Sequence, residues 1–242
     1  MVPLRDENPI RITPYVTYGL IAINVVIFLY EWSLSPEQLN ALFYHWALVP
    51  ARLTVSLNTS FPHFLGEATR LISAQFLHAG FLHLGGNMLY LWIFGNNLEE
   101  DFGRIKFLLF YLVCGLLAAL VQWWFDPLSE IPSLGASGAI AGVMGAYVFR
   151  YPKVRIITVI PIFLFYFFTV RIPAVLFLGF WFIQQALYGV ASLEAPATVG
   201  MEGGGIAYWA HAGGFVIGAV IAWFLGLFEH HLDYNEGGGR KS

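Results

Sequence analysis

Cysteine is nearly absent from this chain. Cys114 is the only one, which excludes an intramolecular disulfide and any cysteine-based metal centre. Charge is scarce as well: 11% of the 242 residues are Asp, Glu, Lys or Arg, against about a quarter in an ordinary soluble domain. No basic cluster is large enough to hold a nucleic-acid backbone, and the net charge of −3 gives no reason to expect one. An inverted repeat of the kind transporters carry is missing too. Asp and Glu are absent from the interiors of the long apolar runs. The N-terminus, MVPLRDENPIR, lacks the basic and apolar regions of a signal peptide, so the first apolar run is expected to stay in the mature protein.

What the chain has in abundance is apolar sequence, at 58%. This composition belongs to an integral membrane protein, expected to be one all-α bundle. Six apolar segments stand out: about 14–30, 82–98, 105–125, 137–149, 172–191 and 206–228. A bilayer crossing takes about 20 helical residues, and five of the segments come near that length. The fourth has only thirteen residues, Ser137 to Phe149, before Arg150. With Arg150 at one interface, its Ser137 end is expected to lie roughly 10 Å beneath the other surface. The run 156–170 lies between Arg155 and Arg171, contains Pro161 and is rich in Ile, Phe and Val. It reads as a short extended hairpin or interfacial segment, not a crossing.

Six spans place both termini on one side. The loops and termini of that side hold Arg5, Arg11, Arg104, Lys106, Arg150, Lys153, Arg155, Arg171, Arg240 and Lys241, while the opposite loops hold Arg52 and Arg70. The bias predicts cytoplasmic termini. With no organelle-targeting signal in view, a cell membrane, and a bacterial inner membrane in particular, is the expected location. The segments are a cytoplasmic stretch over 1–13, a membrane domain over 14–228 and a disordered cytoplasmic tail over 229–242. The external loop 31–80 is expected to carry short interfacial helices over Leu34–Leu53. Glu99, Glu100 and Asp101 read as a hydrated cytoplasmic turn.

Several polar residues share one depth in this topology. Ser137 opens the fourth span in Gly135-Ala136-Ser137-Gly138, and His211 lies five residues into the sixth in Ala210-His211-Ala212-Gly213-Gly214. His83 and Asn87, one helical turn apart, lie near the outer end of the second span. Taken singly, each reads as helix packing or a satisfied core residue. Together they form a layer in the outer half of the bilayer. A serine hydroxyl needs a base before it becomes a nucleophile, and His211 is the imidazole able to reach it. Gly138 and Gly142 on the fourth span, and Gly214 and Gly218 on the sixth, are four apart and let two helices approach closely. Backbone N–H groups at the N-terminus of the fourth helix, with His83 and Asn87, could stabilise an oxyanion. With no acidic partner for the histidine, the pattern reads as a Ser–His dyad. Gln184 and Gln185 in the fifth span read as helix glue or cavity residues, with a lean toward a structural part. A metal shell of two histidines and an asparagine is poor, so neither metal nor cofactor is expected.

These motifs resemble the rhomboid family of intramembrane serine proteases. The resemblance rests on His78-x4-His83-x3-Asn87, Gly135-Ala136-Ser137-Gly138 and Ala210-His211-x-x-Gly214, in that order, and covers nearly the whole chain. It implies a six-transmembrane-helix bundle with a water-filled cavity open to the outside, Ser137 as nucleophile and His211 as base. His83, Asn87 and the Ser137 backbone would serve the oxyanion, with no cofactor. Substrates would be single-span membrane proteins whose transmembrane helix is locally unstable near its outer end. In some members an aromatic one turn after the serine packs on the base. That position here is Ala141, so either Tyr208 or Trp209 takes over the packing or His211 is held more loosely. Two other classes compete: a non-cleaving binder of transmembrane helices on the same fold, and a channel or transporter. Oligomeric state is left open by the sequence.

Overall fold

A computed structural model describes residues 1–163, 166–194 and 207–227. The expected tail, 229–242, lies outside the described residues. The helices are α1 (Tyr15–Trp32), α2 (Pro36–Trp46), α3 (Pro50–Ser56), α4 (Phe61–Ser73), α5 (Phe81–Phe102), α6 (Arg104–Phe125), α7 (Ser137–Arg150), α8 (Ala174–Glu194) and α9 (Tyr208–Phe224). The protein is mostly helical and lies in the membrane in several passes. Three described helices, α1, α6 and α8, are long and apolar enough to cross a bilayer, and α9 is a shorter apolar helix. In their apolar windows only 28–33% of residues are buried, so most of this apolar surface faces outward, where lipid can solvate it.

α7 is the opposite case. Every residue from Gly138 to Tyr147 is buried. A helix apolar on all sides belongs in the middle of a bundle, and α7 packs against α5, α6, α8 and α9. Its glycines set how close the neighbours come. A Cβ at Gly142 would meet Cys114 Cβ of α6 at 2.5 Å, and one at Gly145 would meet the Phe215 carbonyl oxygen of α9 at 1.9 Å. From the other side, a Cβ at Gly218 would meet the Gly142 carbonyl oxygen at 1.9 Å. Backbones lie almost directly on one another where α7 crosses α9.

The expected all-α architecture needs one amendment. The hairpin read over 156–170 is present as β2 (Arg155–Phe163) and β3 (Tyr166–Pro173), paired antiparallel from Arg155↔Pro173 to Ile160↔Phe168. A third strand, β1 (Val2–Asp6), pairs antiparallel with β2, giving the order β1-β2-β3. Part of the segment 1–13 is therefore built into a sheet. Its Asp6 carboxylate accepts from the Tyr147 hydroxyl of α7. Five residues of mixed polarity carry too little alternation to announce a strand; the partner edge of β2 makes it one.

The 31–80 loop carries the expected helices α2 and α3, and also α4, which lies beyond the expected stretch. Ser35 and Gln38 form a capping box at the start of α2. Glu67 of α4 pairs with both Arg52 and Arg70, each at 2.7 Å, so the two cations of these loops are tied into one cluster.

Glu99, Glu100 and Asp101 are not a hydrated turn. All three belong to α5, and Glu99 is fully buried. α1 has no side-chain cap of its own, because its N-cap is Pro14. Glu99 does that work from 82 residues away: its carboxylate accepts the Thr17 N–H (2.8 Å), the Thr17 hydroxyl (2.8 Å) and the Val16 N–H (2.9 Å). An anion at a helix N-terminus satisfies orphan donors and meets the positive end of the dipole. Glu100 accepts the Arg11 N–H, and Asp101 pairs with Arg150 at 2.8 Å and accepts the Tyr151 hydroxyl.

Candidate active site

The loop entering α7 decides where Ser137 points. Leu48 and Ser133 exchange backbone hydrogen bonds, and the Gly135 N–H donates to the Ala74 carbonyl at 2.8 Å. The chain is thereby bolted to the α2–α3 junction on one side and to the 3-10 turn Ala74–Phe76 on the other. Gly135 has φ +123°, a conformation side chains rarely adopt, and a Cβ there would lie 2.7 Å from His83 Nε2. Both the turn and the approach of His83 therefore require glycine. Ser137 follows as the first residue of α7, so its N–H is among those a helix leaves unpaired at its start.

α9 brings in the imidazole. Its N-terminus is held in register by Gln122 of α6, which accepts the Ala210 N–H at 3.2 Å, and by Trp209, stacked on Phe125 at 3.7 Å and 4°. His211 Nε2 lies 2.7 Å from Ser137 Oγ. The two residues, 74 positions apart, meet because the glycine faces of α7 and α9 let their backbones touch.

His83 and Asn87, on one face of α5, both point at Gly135; the same Cβ position is 3.7 Å from Asn87 Nδ2. His83 Nδ1 accepts a weak bond from the Ala79 N–H (3.5 Å). That leaves the proton on Nε2, the atom turned toward the serine loop. His78, only 1% exposed, sits behind them. Its Nε2 lies 3.0 Å from Asn87 Nδ2, which can only donate. The His78 N–H donates in turn to the Glu31 carboxylate of α1 at 3.2 Å. The part played by His78 is thus to hold Asn87 in place. A cavity of about 30 Å³, large enough to admit water, lies beside Ser137 and is lined in part by Ala74, Gln75, Gly115, Gly138 and Ala210.

One expectation about the surroundings of His211 is corrected. Neither Tyr208 nor Trp209 packs on His211: Tyr208 packs against Tyr188, and Trp209 is committed to Phe125. The aromatic neighbour is Trp181 of α8, with ring centroids 5.9 Å apart and planes 32° apart. Gln185, read as helix glue or a cavity residue, places its Oε1 2.8 Å from His211 Nδ1. The spacing of Trp181 and Gln185, four apart on one helix, is the sequence signal that could have joined them. Among the described residues no group of three or more His, Cys, Asp or Glu could hold a metal ion.

The rhomboid domain model matches residues 65–228. The chain is 28% identical to mitochondrial rhomboid protein 1 of Saccharomyces cerevisiae over 214 residues, covering 86% of this chain and 52% of that one. It is 33% identical to the putative rhomboid protease YdcA of Bacillus subtilis over 149 residues, 60% of this chain and 68% of that one. It is 42% identical to the rhomboid protease GluP of the same organism over 84 residues, 35% of this chain and 16% of that one. The chain thus spans about half the length of the yeast relative. Because the family match runs from α4 through α9, the part of the fold that carries Ser137, His211, His83 and Asn87, this chain belongs to the rhomboid family.

Proposed function

We propose that the chain is an intramembrane serine endopeptidase with a Ser137–His211 dyad, cleaving transmembrane segments of single-span membrane proteins near the outer face of the bilayer. The observation that carries this reading is the 2.7 Å contact between Ser137 Oγ and His211 Nε2. As Oγ attacks the scissile carbonyl, Nε2 takes its proton and later returns it to the leaving amine. Water then hydrolyses the acyl-enzyme. The Ser137 N–H, His83 Nε2–H and Asn87 Nδ2–H are the donors for the oxyanion. In this reading α1, α5, α6, α7, α8 and α9 are six spans, and both termini are cytoplasmic. Supporting the orientation is the charge asymmetry of the loops. Supporting a sunken site is the length of α7, whose 14 residues reach roughly 21 Å in a hydrocarbon core of roughly 30 Å.

The test is purified protein in liposomes with a single-span substrate. Wild type should produce a fragment and bind a fluorophosphonate at Ser137. Ser137→Ala and His211→Ala should insert normally and do neither. Equal cleavage by Ser137→Ala ends the reading, and so does substrate that co-purifies with wild type and is never cut.

A further inference from the structure

We propose that Gln185 is the positioning residue of the base, its side-chain carbonyl holding His211 in the one tautomer and orientation from which Nε2 can take the Ser137 proton. The inference rests on the protease reading above. Gln185 Oε1 lies 2.8 Å from His211 Nδ1. An amide oxygen carries no hydrogen, so Nδ1 must be the donor. A neutral imidazole has a single N–H, so Nε2 is left with its lone pair, and Nε2 is the atom 2.7 Å from Ser137 Oγ. With no acceptor at Nδ1 the proton could sit on Nε2. The ring would then donate to the serine, which is useless for activating it.

Packing supports the same role. Trp181 lies one turn before Gln185 and so shares its face of α8. Its indole lies against the imidazole, while Ala141, buried on α7, offers only a methyl group. α8 therefore holds the ring by its edge and by its plane. The acceptor is neutral. It fixes the tautomer without the charge by which a carboxylate would favour the imidazolium. Around His211 stand Ser137 from α7, Gln185 and Trp181 from α8, Gln122 bonded to the neighbouring Ala210 from α6, and His83 from α5. Of these only His83 is an ionisable side chain.

The experiment compares wild type, Gln185→Met and Gln185→Glu in liposomes. It reads substrate cleavage and the rate of fluorophosphonate labelling of Ser137 from pH 5 to 9, with Ser137→Ala as the blank. Gln185→Met should lower kcat and the labelling rate roughly 10- to 100-fold and leave KM nearly unchanged. Gln185→Glu should restore both rates at alkaline pH. Its new charge favours the imidazolium, so the acid limb of the profile should move to higher pH by roughly one unit. A wild-type kcat in Gln185→Met overturns the proposal. So does a Gln185→Glu variant as slow as Gln185→Met, or one with the wild-type profile. If Gln185→Met does not fold, the Gln185→Glu profile decides alone. Failure of the protease reading looks different: wild type itself would then yield no Ser137-dependent fragment or label.

Discussion

Gly218→Ala tests the geometry on which the dyad depends. A methyl group at this position would stand 1.9 Å from the Gly142 carbonyl oxygen and 2.5 Å from both its carbonyl carbon and its Cα. All three are backbone atoms, so no rotamer change relieves the clash. Ordinary contact begins near 3.4 Å, so α9 must move away from α7 by about 1.5 Å. Ser137 and His211 stand on these two helices, 2.7 Å apart. The same displacement would open their contact to roughly 4 Å, beyond hydrogen-bond reach. Overpacking of this kind costs about 1–3 kcal/mol, and a misplacement near 1 Å costs about 100-fold in rate. Gly218→Ala should therefore insert, melt several degrees lower, and lose at least about 100-fold in cleavage and in fluorophosphonate labelling. Gly179→Ala on α8, where nothing lies within 4 Å, is the matched control and should behave as wild type. A Gly218→Ala protein with wild-type melting and a wild-type labelling rate would refute the argument that backbone contact sets the dyad distance.

Three further outcomes follow from the same structure. Glu99→Ala strips three hydrogen bonds from the start of α1 and should cost roughly 3 kcal/mol, read as a lower melting temperature with cleavage kept at low temperature. Gly135→Ala combines a φ of +123° with a clash on His83 Nε2; it should slow cleavage at least about tenfold while Ser137 and His211 remain intact. Asp6, outside the spans, has its pKa raised from 3.8 to about 6, chiefly by burial and against the opposing effect of the Tyr147 hydrogen bond. A raised carboxyl stabilises the fold below its unfolded value and loses that contribution as pH climbs through the folded one. Hydrogen exchange in β1 should therefore quicken between about pH 4 and 6 beyond its ordinary pH dependence, and Asp6→Asn should abolish the excess.

The membrane class, the apolar segments and the serine, histidines and asparagine of the candidate site were legible in the sequence, because the bilayer enforces long apolar runs and makes polar exceptions conspicuous. The hairpin was legible for a related reason: β-branched and aromatic residues fill 156–170, and the run is too short to cross. What escaped were pairings across distance. Glu99 read as part of a hydrated turn because nothing near it in sequence says that α1 lacks a cap. β1 escaped because its strand character comes from the edge of β2. Trp181 and Gln185 escaped as partners of His211 because α8 looks like any lipid-facing helix until it is seen against α9. Local composition and periodicity determined which polar groups the chain carries in its apolar segments and roughly where each lies. Only the tertiary packing decided which nitrogen of His211 faces the serine, what orients it and how near it stands, since those depend on backbone contacts between helices far apart in the chain.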